Sequence, residues 1–110
     1  MKFDRKENYV LIAHKGGSIT EFISALTKHH EEIEQDNVVV DLSHNPNVTS
    51  EHLMGFLEIA ELYRTNNRSF VIISDQVSID DLPEELVVVP TSQEAEDMIQ
   101  MDEIQRDLGF

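Results

Sequence analysis

Residues 37–64 read NVVVDLSHNPNVTSEHLMGFLEIAELYR, and this segment carries the clearest structural pattern in the chain. The three valines Val38–Val40 are typical of a strand that is buried on both faces, as in the middle of a parallel sheet. A polar turn at residues 44–47 follows, and a helix with apolar side chains on one face begins at residues 48–51. Ligands and partners of open α/β sheets usually dock beyond the carboxyl ends of the strands. We therefore expect any functional site at residues 41–52.

Strand and helix patterns alternate along the whole chain. We predict short strands at residues 3–6, 9–14, 38–40, 69–74 and 86–89, with the first two forming a hairpin. We predict helices at residues 18–36, 48–65 and 91–107. The resulting order, β-β-α-β-α-β-β-α, predicts a single α/β domain over residues 1–110, with a mainly parallel mixed sheet and crossover helices.

Each predicted helix carries an apolar stripe, which we expect to face the sheet. The first helix would begin at Ser18, which stands three residues before Glu21 at capping-box spacing, and it would contain His29 and His30. Its stripe is Ile19, Phe22, Ile23, Leu26 and Ile33. The last helix would begin after Thr91, with a stripe of Ala95, Met98, Ile99, Met101, Ile104 and Leu108.

Charge and composition narrow the class of function. The chain has a formal net charge of −14 and no cysteine. Such a surface repels nucleic-acid phosphates and anionic lipids, so we expect no nucleic-acid and no membrane partner. It favours a basic protein partner, or serves solubility alone. Without cysteine there is neither a disulfide nor a thiolate metal site, and the absence of a long apolar segment near Met1 predicts a cytoplasmic protein.

The segment VVVDLS at residues 38–43, followed by Thr49, Ser50 and Leu53, resembles the STAS domains. These are the anti-sigma factor antagonists and the related domains of sulfate transporters and stressosome proteins. Glu94-Ala95 occupies the place where the C-terminal helix of that family starts. The resemblance extends from about Tyr9 onward. It implies a STAS-like fold and a non-enzymatic regulatory role, with an anti-sigma factor or a regulatory kinase as the partner.

The resemblance also implies which residues matter at the site. Aligning Leu53 with the family leucine places Thr49 where aspartate is usual, Ser50 on the first serine, Glu51 on the phosphorylatable serine and His52 on the glycine. In the family, a kinase that is also the anti-sigma factor phosphorylates that serine, and the added charge breaks the complex. Glu51 cannot be switched in this way, because it carries one fixed charge rather than the about −1.5 to −2 of a phosphate. The chain is then a non-switchable binder, or its switch lies at Ser50 or Thr49.

A helix cap explains the two hydroxyls equally well, since Ser or Thr at an N-cap is worth about 1 kcal/mol. Both interpretations stay open at the level of sequence. The candidate residues for partner binding or phosphorylation are Asp41, Ser43, Thr49, Ser50, Glu51 and His52. A second hypothesis, also suggested by the resemblance, is a sensor that binds a small nucleotide or lipid at the same edge.

An enzymatic role has little support in the residues. His14, His44 and His52 follow strand ends or begin a helix, but no pair has the spacing of a metal site and no HExxH motif is present. A hydrolase of the ribonuclease Z type needs a His-x-His-x-Asp-His loop, which the chain lacks. Ser43 stands beside His44 without a nucleophile elbow. We therefore predict no catalytic residue, no metal and no cofactor.

Overall fold

Five strands form one sheet in the computed structural model, which describes residues 1–109. Phe110, the last residue of the predicted domain, lies outside the described residues. The strands are β1 (Asp4–Arg5), β2 (Val10–Ala13), β3 (Val38–Asp41), β4 (Phe70–Ile73) and β5 (Val87–Val89). They lie side by side in chain order, with β1 antiparallel to β2 and every later pair parallel. The hairpin and the mainly parallel sheet are confirmed.

The central strand β3 explains why three consecutive valines are needed. Val38 and Val40 belong to one hydrophobic cluster, whereas Val39 belongs to a second cluster on the other face of the sheet. Val39 lies between Leu11 of β2 and Val71 of β4 in the strand register. All three valines are almost fully buried, so β3 is covered on both faces as predicted.

Among the described residues, four helices cover the two faces of the sheet. They are α1 (Ile19–Lys28), α2 (Ser50–Met54), α3 (Leu57–Thr65) and α4 (Ser92–Asp107), with 3-10 turns at His30–Glu32 and Ile79–Asp81. The first three helices pack in the cluster of Val38 and Val40, and α4 packs in the cluster of Val39. Within residues 1–109, no helix is both long and apolar enough to cross a membrane.

The first helix ends at Lys28, and the predicted extension to residue 36 is wrong. His29 is the C-cap, and His30 begins the following 3-10 turn. The 10 residues of α1 span about 15 Å, which already matches the strands that it covers. The chain must then turn back to begin β3, and the turn places Ile33 in the core.

The second predicted helix is in fact two helices, because the backbone forms a tighter turn, with bonds to the third residue before, between α2 and α3. The N–H of Gly55 donates to the carbonyl of His52 at 3.2 Å, and the N–H of Phe56 donates to that of Leu53 at 3.0 Å. These are three-residue bonds of the 3-10 type. A Cβ on Gly55 would stand 2.7 Å from Cδ1 of Ile23, so the missing side chain lets α1 approach this turn.

The predicted stripe of α4 is only half correct. Ala95 and Ile99 are buried against the sheet, whereas Met101, Ile104 and Leu108 are 55%, 56% and 65% exposed. Polar side chains of the same helix face the sheet along its second half, as described below. The apolar residues there consequently point to the opposite side.

Candidate functional site

The loop that leaves β3 is fastened to the strands on both sides. The N–H of His14, at the end of β2, donates to the carbonyl of Asp41 at 3.0 Å, and the N–H of Leu42 donates to that of Ile73 at 2.9 Å. Oδ1 of Asp41 accepts the N–H of Ser43 at 2.9 Å, which makes a side-chain turn. Asp41 is thus a half-buried turn residue, and Ser43 presents an exposed hydroxyl directly after it.

Asn45 anchors the next part of the loop. It is only 7% exposed, its side-chain amide donates to the carbonyl of His14, and its N–H donates to the carbonyl of Leu42 at 3.0 Å. His44, its neighbour, remains exposed. Sequence reasoning missed Asn45, because asparagine in a polar turn is usually an exposed residue and nothing in the pattern marks this one as buried.

The start of α2 is held by a capping box between Thr49 and His52. Oγ1 of Thr49 accepts the N–H of His52 at 3.2 Å, and Nδ1 of His52 accepts the N–H of Thr49 at 3.1 Å. Val48 before the cap and Leu53 after it belong to the same core cluster, as in a hydrophobic staple. The spacing Thr-x-x-His was the available signal, but the usual partner at this position is Glu or Gln.

Ser50 and Glu51, which lie between Thr49 and His52, take no part in the capping box. Ser50 is the first residue of α2 and half-buried, and Glu51 follows as an exposed carboxylate in the first turn. In the part of the chain that the structure describes, the Ser50 hydroxyl makes no hydrogen bond and Glu51 makes no ion pair. These side chains are free to contact another molecule.

The candidate residues do not converge on one pocket. His52 lines a cleft of about 290 Å³ together with residues 16–20 and 44–47. Asp41 lines a separate groove of about 570 Å³ next to Leu11 and Ala13. His44 is common to both openings. The segment therefore forms a surface that faces two ways rather than a single enclosed site.

The predicted histidines have separate local roles. The ring of His14 packs on Phe22 with centroids 4.6 Å apart, and its Nε2 lies 3.3 Å from the carbonyl of Gly17. His29 contacts the Glu32 carboxylate at 2.8 Å, and His30 bonds the carbonyl of Thr27 at 3.1 Å. Residues 1–109 contain no group of three or more His, Asp or Glu side chains that could hold a metal ion.

The amino edge of the sheet holds a polar network that sequence reasoning did not find. Asn37, 7% exposed, donates to Glu103 at 2.8 Å and to the carbonyl of Asn8 at 3.0 Å, while its Oδ1 accepts the N–H of Ser69 at 2.8 Å. Ser69 donates in turn to Asp102 at 2.6 Å. Arg106 donates to Asn37 at 3.3 Å and to Ser69 at 3.0 Å. This network ties α4 to β3 and β4.

The arginines also concentrate at the amino edge, where Arg5, Arg64, Arg68 and Arg106 line two clefts. Arg5 binds Asp36 at 3.0 Å and Arg68 donates to the carbonyl of Gln35 at 2.7 Å. The guanidinium groups of Arg5, Arg68 and Arg106 join chain segments to one another. These bonds stabilise the amino edge, whereas the predicted site residues lie at the carboxyl edge.

No family model matches this chain, and no curated protein matches it either. The resemblance to STAS domains accordingly stays a hypothesis, carried by the residues of the 38–53 segment and by the α/β fold with its mainly parallel sheet.

Proposed function

We propose that this chain is a non-enzymatic, STAS-like module that binds a regulatory protein through residues 41–52. The observation that carries the proposal is the start of α2. There, beside the capping box of Thr49 and His52, the Ser50 hydroxyl makes no hydrogen bond and the Glu51 carboxylate makes no ion pair among the described residues. A tethered loop and a capped helix start present these groups in a fixed geometry. Pre-ordered groups lose little entropy on binding, which suits a docking surface.

The charge of the chain indicates the chemistry of the partner. A net charge of −14 steers a basic surface towards this one and repels an acidic surface. If the STAS mechanism applies, the partner is an anti-sigma factor or a related regulatory kinase.

Ser50 is the best position for a switch on this surface. The Thr49 hydroxyl is engaged with the N–H of His52, so its modification would break the cap as well as add charge. The hydroxyl of Ser50 makes no such hydrogen bond among the described residues. A phosphate there would stand in the first turn of α2, where negative charge is compatible with the helix. At this half-buried position beside Glu51, its bulk and the cost of removing it from water would oppose close docking of the partner.

The test is affinity purification with mass spectrometry, using wild-type protein, Ser50→Asp and Ser50→Ala as baits. We expect wild type and Ser50→Ala to retain one specific basic partner, and Ser50→Asp to retain much less of it. High salt should weaken retention, because screening acts on the steering charges. The melting temperatures of all three baits should be nearly equal.

Two results would contradict the proposal. One is recovery of no specific protein by wild-type bait at native salt. The other is equal retention of the partner by a variant in which Glu51 and Ser43 are both replaced by Lys, since two new positive charges at the surface must weaken the binding of a basic partner.

A small-ligand sensor is the second candidate, favoured by the cleft beside His52. Its volume of about 290 Å³ stands at the lower limit of ligand pockets, which usually hold roughly 300–1,000 Å³. A thermal-shift screen with nucleotides and lipids separates this function from protein docking. A ligand present at about 100 times its Kd should stabilise the fold by about 2.7 kcal/mol.

A further inference from the structure

The outer side of α4 carries an exposed apolar stripe, which we call the α4 stripe and define as Met101, Ile104 and Leu108. Each side chain is more than half exposed, at 55%, 56% and 65%. Their spacing of three and four residues places them on one side of the helix, away from Ala95 and Ile99 in the core. An exposed apolar row of this kind, along one helix, is typical of a surface that contacts another molecule.

The acidic residues of α4 divide between its two sides. Three of them accept hydrogen bonds on the sheet side: Glu96 from Tyr9 at 2.9 Å, Glu103 from Asn37 and Asp102 from Ser69. The other three are exposed: Glu94 and Asp97 lie beside the α4 stripe, whereas Asp107 lines the cleft of Asn37 and Arg106. Within residues 1–109, none of this second group makes an ion pair. The α4 stripe is thus flanked by negative charge that the fold does not neutralise.

We propose that the α4 stripe is a docking surface for a basic amphipathic helix of a partner protein. Apolar side chains of such a helix, repeating every three or four residues, would pack on Met101, Ile104 and Leu108. Lysine or arginine on its flanks would pair with Glu94 and Asp97. The apolar contact would supply most of the affinity, and the charges would select the partner and its orientation.

The same charges disfavour the other occupants of an apolar helix face. A second copy would bring two chains of net charge −14 together with their acidic flanks side by side. An anionic membrane would be repelled for the same reason. A helix with cationic flanks is the occupant that both the apolar row and its acidic border accept.

This surface is separate from residues 41–52. The α4 stripe belongs to the helix that covers one face of the sheet, whereas α2 packs in the core cluster of the other face. The inference therefore goes beyond the proposed function, and either surface can be altered without touching the other.

The test is an NMR titration of the full chain with a designed helical peptide of leucine and lysine, whose leucines repeat at i, i+3, i+4 and i+7. The control peptide has glutamate in place of every lysine. We expect the first peptide to shift backbone amides of residues 94–108 and the second to shift none. In the variant with Ile104→Gln and Leu108→Gln, binding should weaken about tenfold or more, since both apolar anchors are lost.

Ile79→Gln is the matched control, because Ile79 is 64% exposed and lies outside α4. It should bind the peptide like wild type. The replaced side chains are all exposed, and equal melting temperatures would show that the variants are folded. Peptide shifts centred elsewhere, unchanged affinity in the double variant, or self-association that this variant abolishes would each overturn the proposal.

Discussion

The N–H of His52 donates to the hydroxyl of Thr49 at 3.2 Å, and the ring of His52 accepts the N–H of Thr49 at 3.1 Å. Two open amide groups at the start of α2 are thereby satisfied by two side chains. From the sequence alone, the hydroxyls of Thr49 and Ser50 could serve either as helix caps or as regulatory sites. The geometry gives the cap to Thr49 and leaves the hydroxyl of Ser50 available.

Replacement of Thr49 measures the value of this cap. We expect Thr49→Ala to lower the free energy of unfolding by about 1 kcal/mol, because the N–H of His52 loses its acceptor. Thr49→Ser keeps an oxygen at the same position and should stay close to wild type. Urea unfolding of the three proteins provides the comparison. Equal midpoints for Thr49→Ala and wild type would show that the cap contributes nothing.

The contact between Gly55 and Ile23 predicts that the effect of Gly55→Ala on stability depends on the side chain at position 23. Gly55 has helical dihedral angles, with φ −63° and ψ −18°, so alanine there should gain up to about 1 kcal/mol from its helix propensity. In wild type, the new Cβ would press on Cδ1 of Ile23 and lose that gain. In the Ile23→Val background this methyl group is absent. Gly55→Ala should therefore be more favourable there by about 1 kcal/mol, and additive effects in a double-mutant cycle would contradict the contact.

Asn37 is the centre of the amino-edge network. Asn37→Ala leaves the N–H of Ser69 and the carbonyl of Asn8 without their side-chain partner in a buried place. We expect a loss of about 2–4 kcal/mol in the free energy of unfolding. The matched control is Asn66→Ala, because Asn66 is exposed and caps α3 through its backbone alone. Chemical denaturation of both variants should separate them clearly; similar small losses would mean that the network adds little.

The hydroxyl of Tyr63 is buried and has no hydrogen-bond partner. Among the described residues, it is the one buried side-chain polar atom in this situation. The ring of Tyr63 packs on Phe70 with centroids 5.4 Å apart, and only 1% of the residue is exposed. Burial, with the negative charges of Asp36 and Glu34, raises the pKa of this phenol. Tyr63→Phe keeps the ring and removes the unsatisfied group. We expect stability to stay equal or to rise by about 1 kcal/mol, whereas a clear loss would reveal a partner for the hydroxyl.

Tyr9 predicts how stability responds to alkaline pH. Burial, followed by the hydrogen bond to Glu96 and the charges of Glu96 and Asp4, raises the pKa of Tyr9 from 10.0 to about 12. Above pH 10 the unfolded chain releases this proton while the folded chain keeps it. The stabilising contribution is therefore complete below pH 10 and is lost as the pH rises towards 12.

Urea midpoints measured from about pH 9 to pH 12 test this linkage. The wild-type midpoint should fall across that window, and the fall should be smaller in Tyr9→Phe. Tyr63 adds a fall of the same sign in both proteins, so the difference between their slopes isolates Tyr9. Identical slopes would show that Tyr9 is not the group responsible.

Local patterns were sufficient wherever one element alone imposes a physical requirement. A strand covered on both faces needs a continuous apolar run, so Val38–Val40 could be placed correctly, as could the strand at Phe70–Ile73. A hydroxyl before a helix meets open N–H groups whatever surrounds it, so Ser18 and Thr91 were recognised at helix starts.

Patterns were insufficient wherever two distant segments have to meet. Helical spacing shows which side chains of α4 share a side, but not which side faces the sheet. Hydrogen bonds with Asn37 and Ser69 hold Asp102, Glu103 and Arg106 towards the sheet. The apolar side chains Met101, Ile104 and Leu108 consequently point outward. The division between α2 and α3 likewise lies where Ile23 of α1 approaches Gly55, a contact that no local pattern reveals.

The residues 41–52 show the same division at the candidate site. Its location follows from the amino-acid order, because the end of a buried strand must place the next polar residues at the rim of the sheet. Which hydroxyl is engaged and which is free depends on contacts between side chains in the folded chain. Short-range regularities record the preferences of one segment, whereas burial and hydrogen-bond partners arise when segments far apart in the chain are packed together.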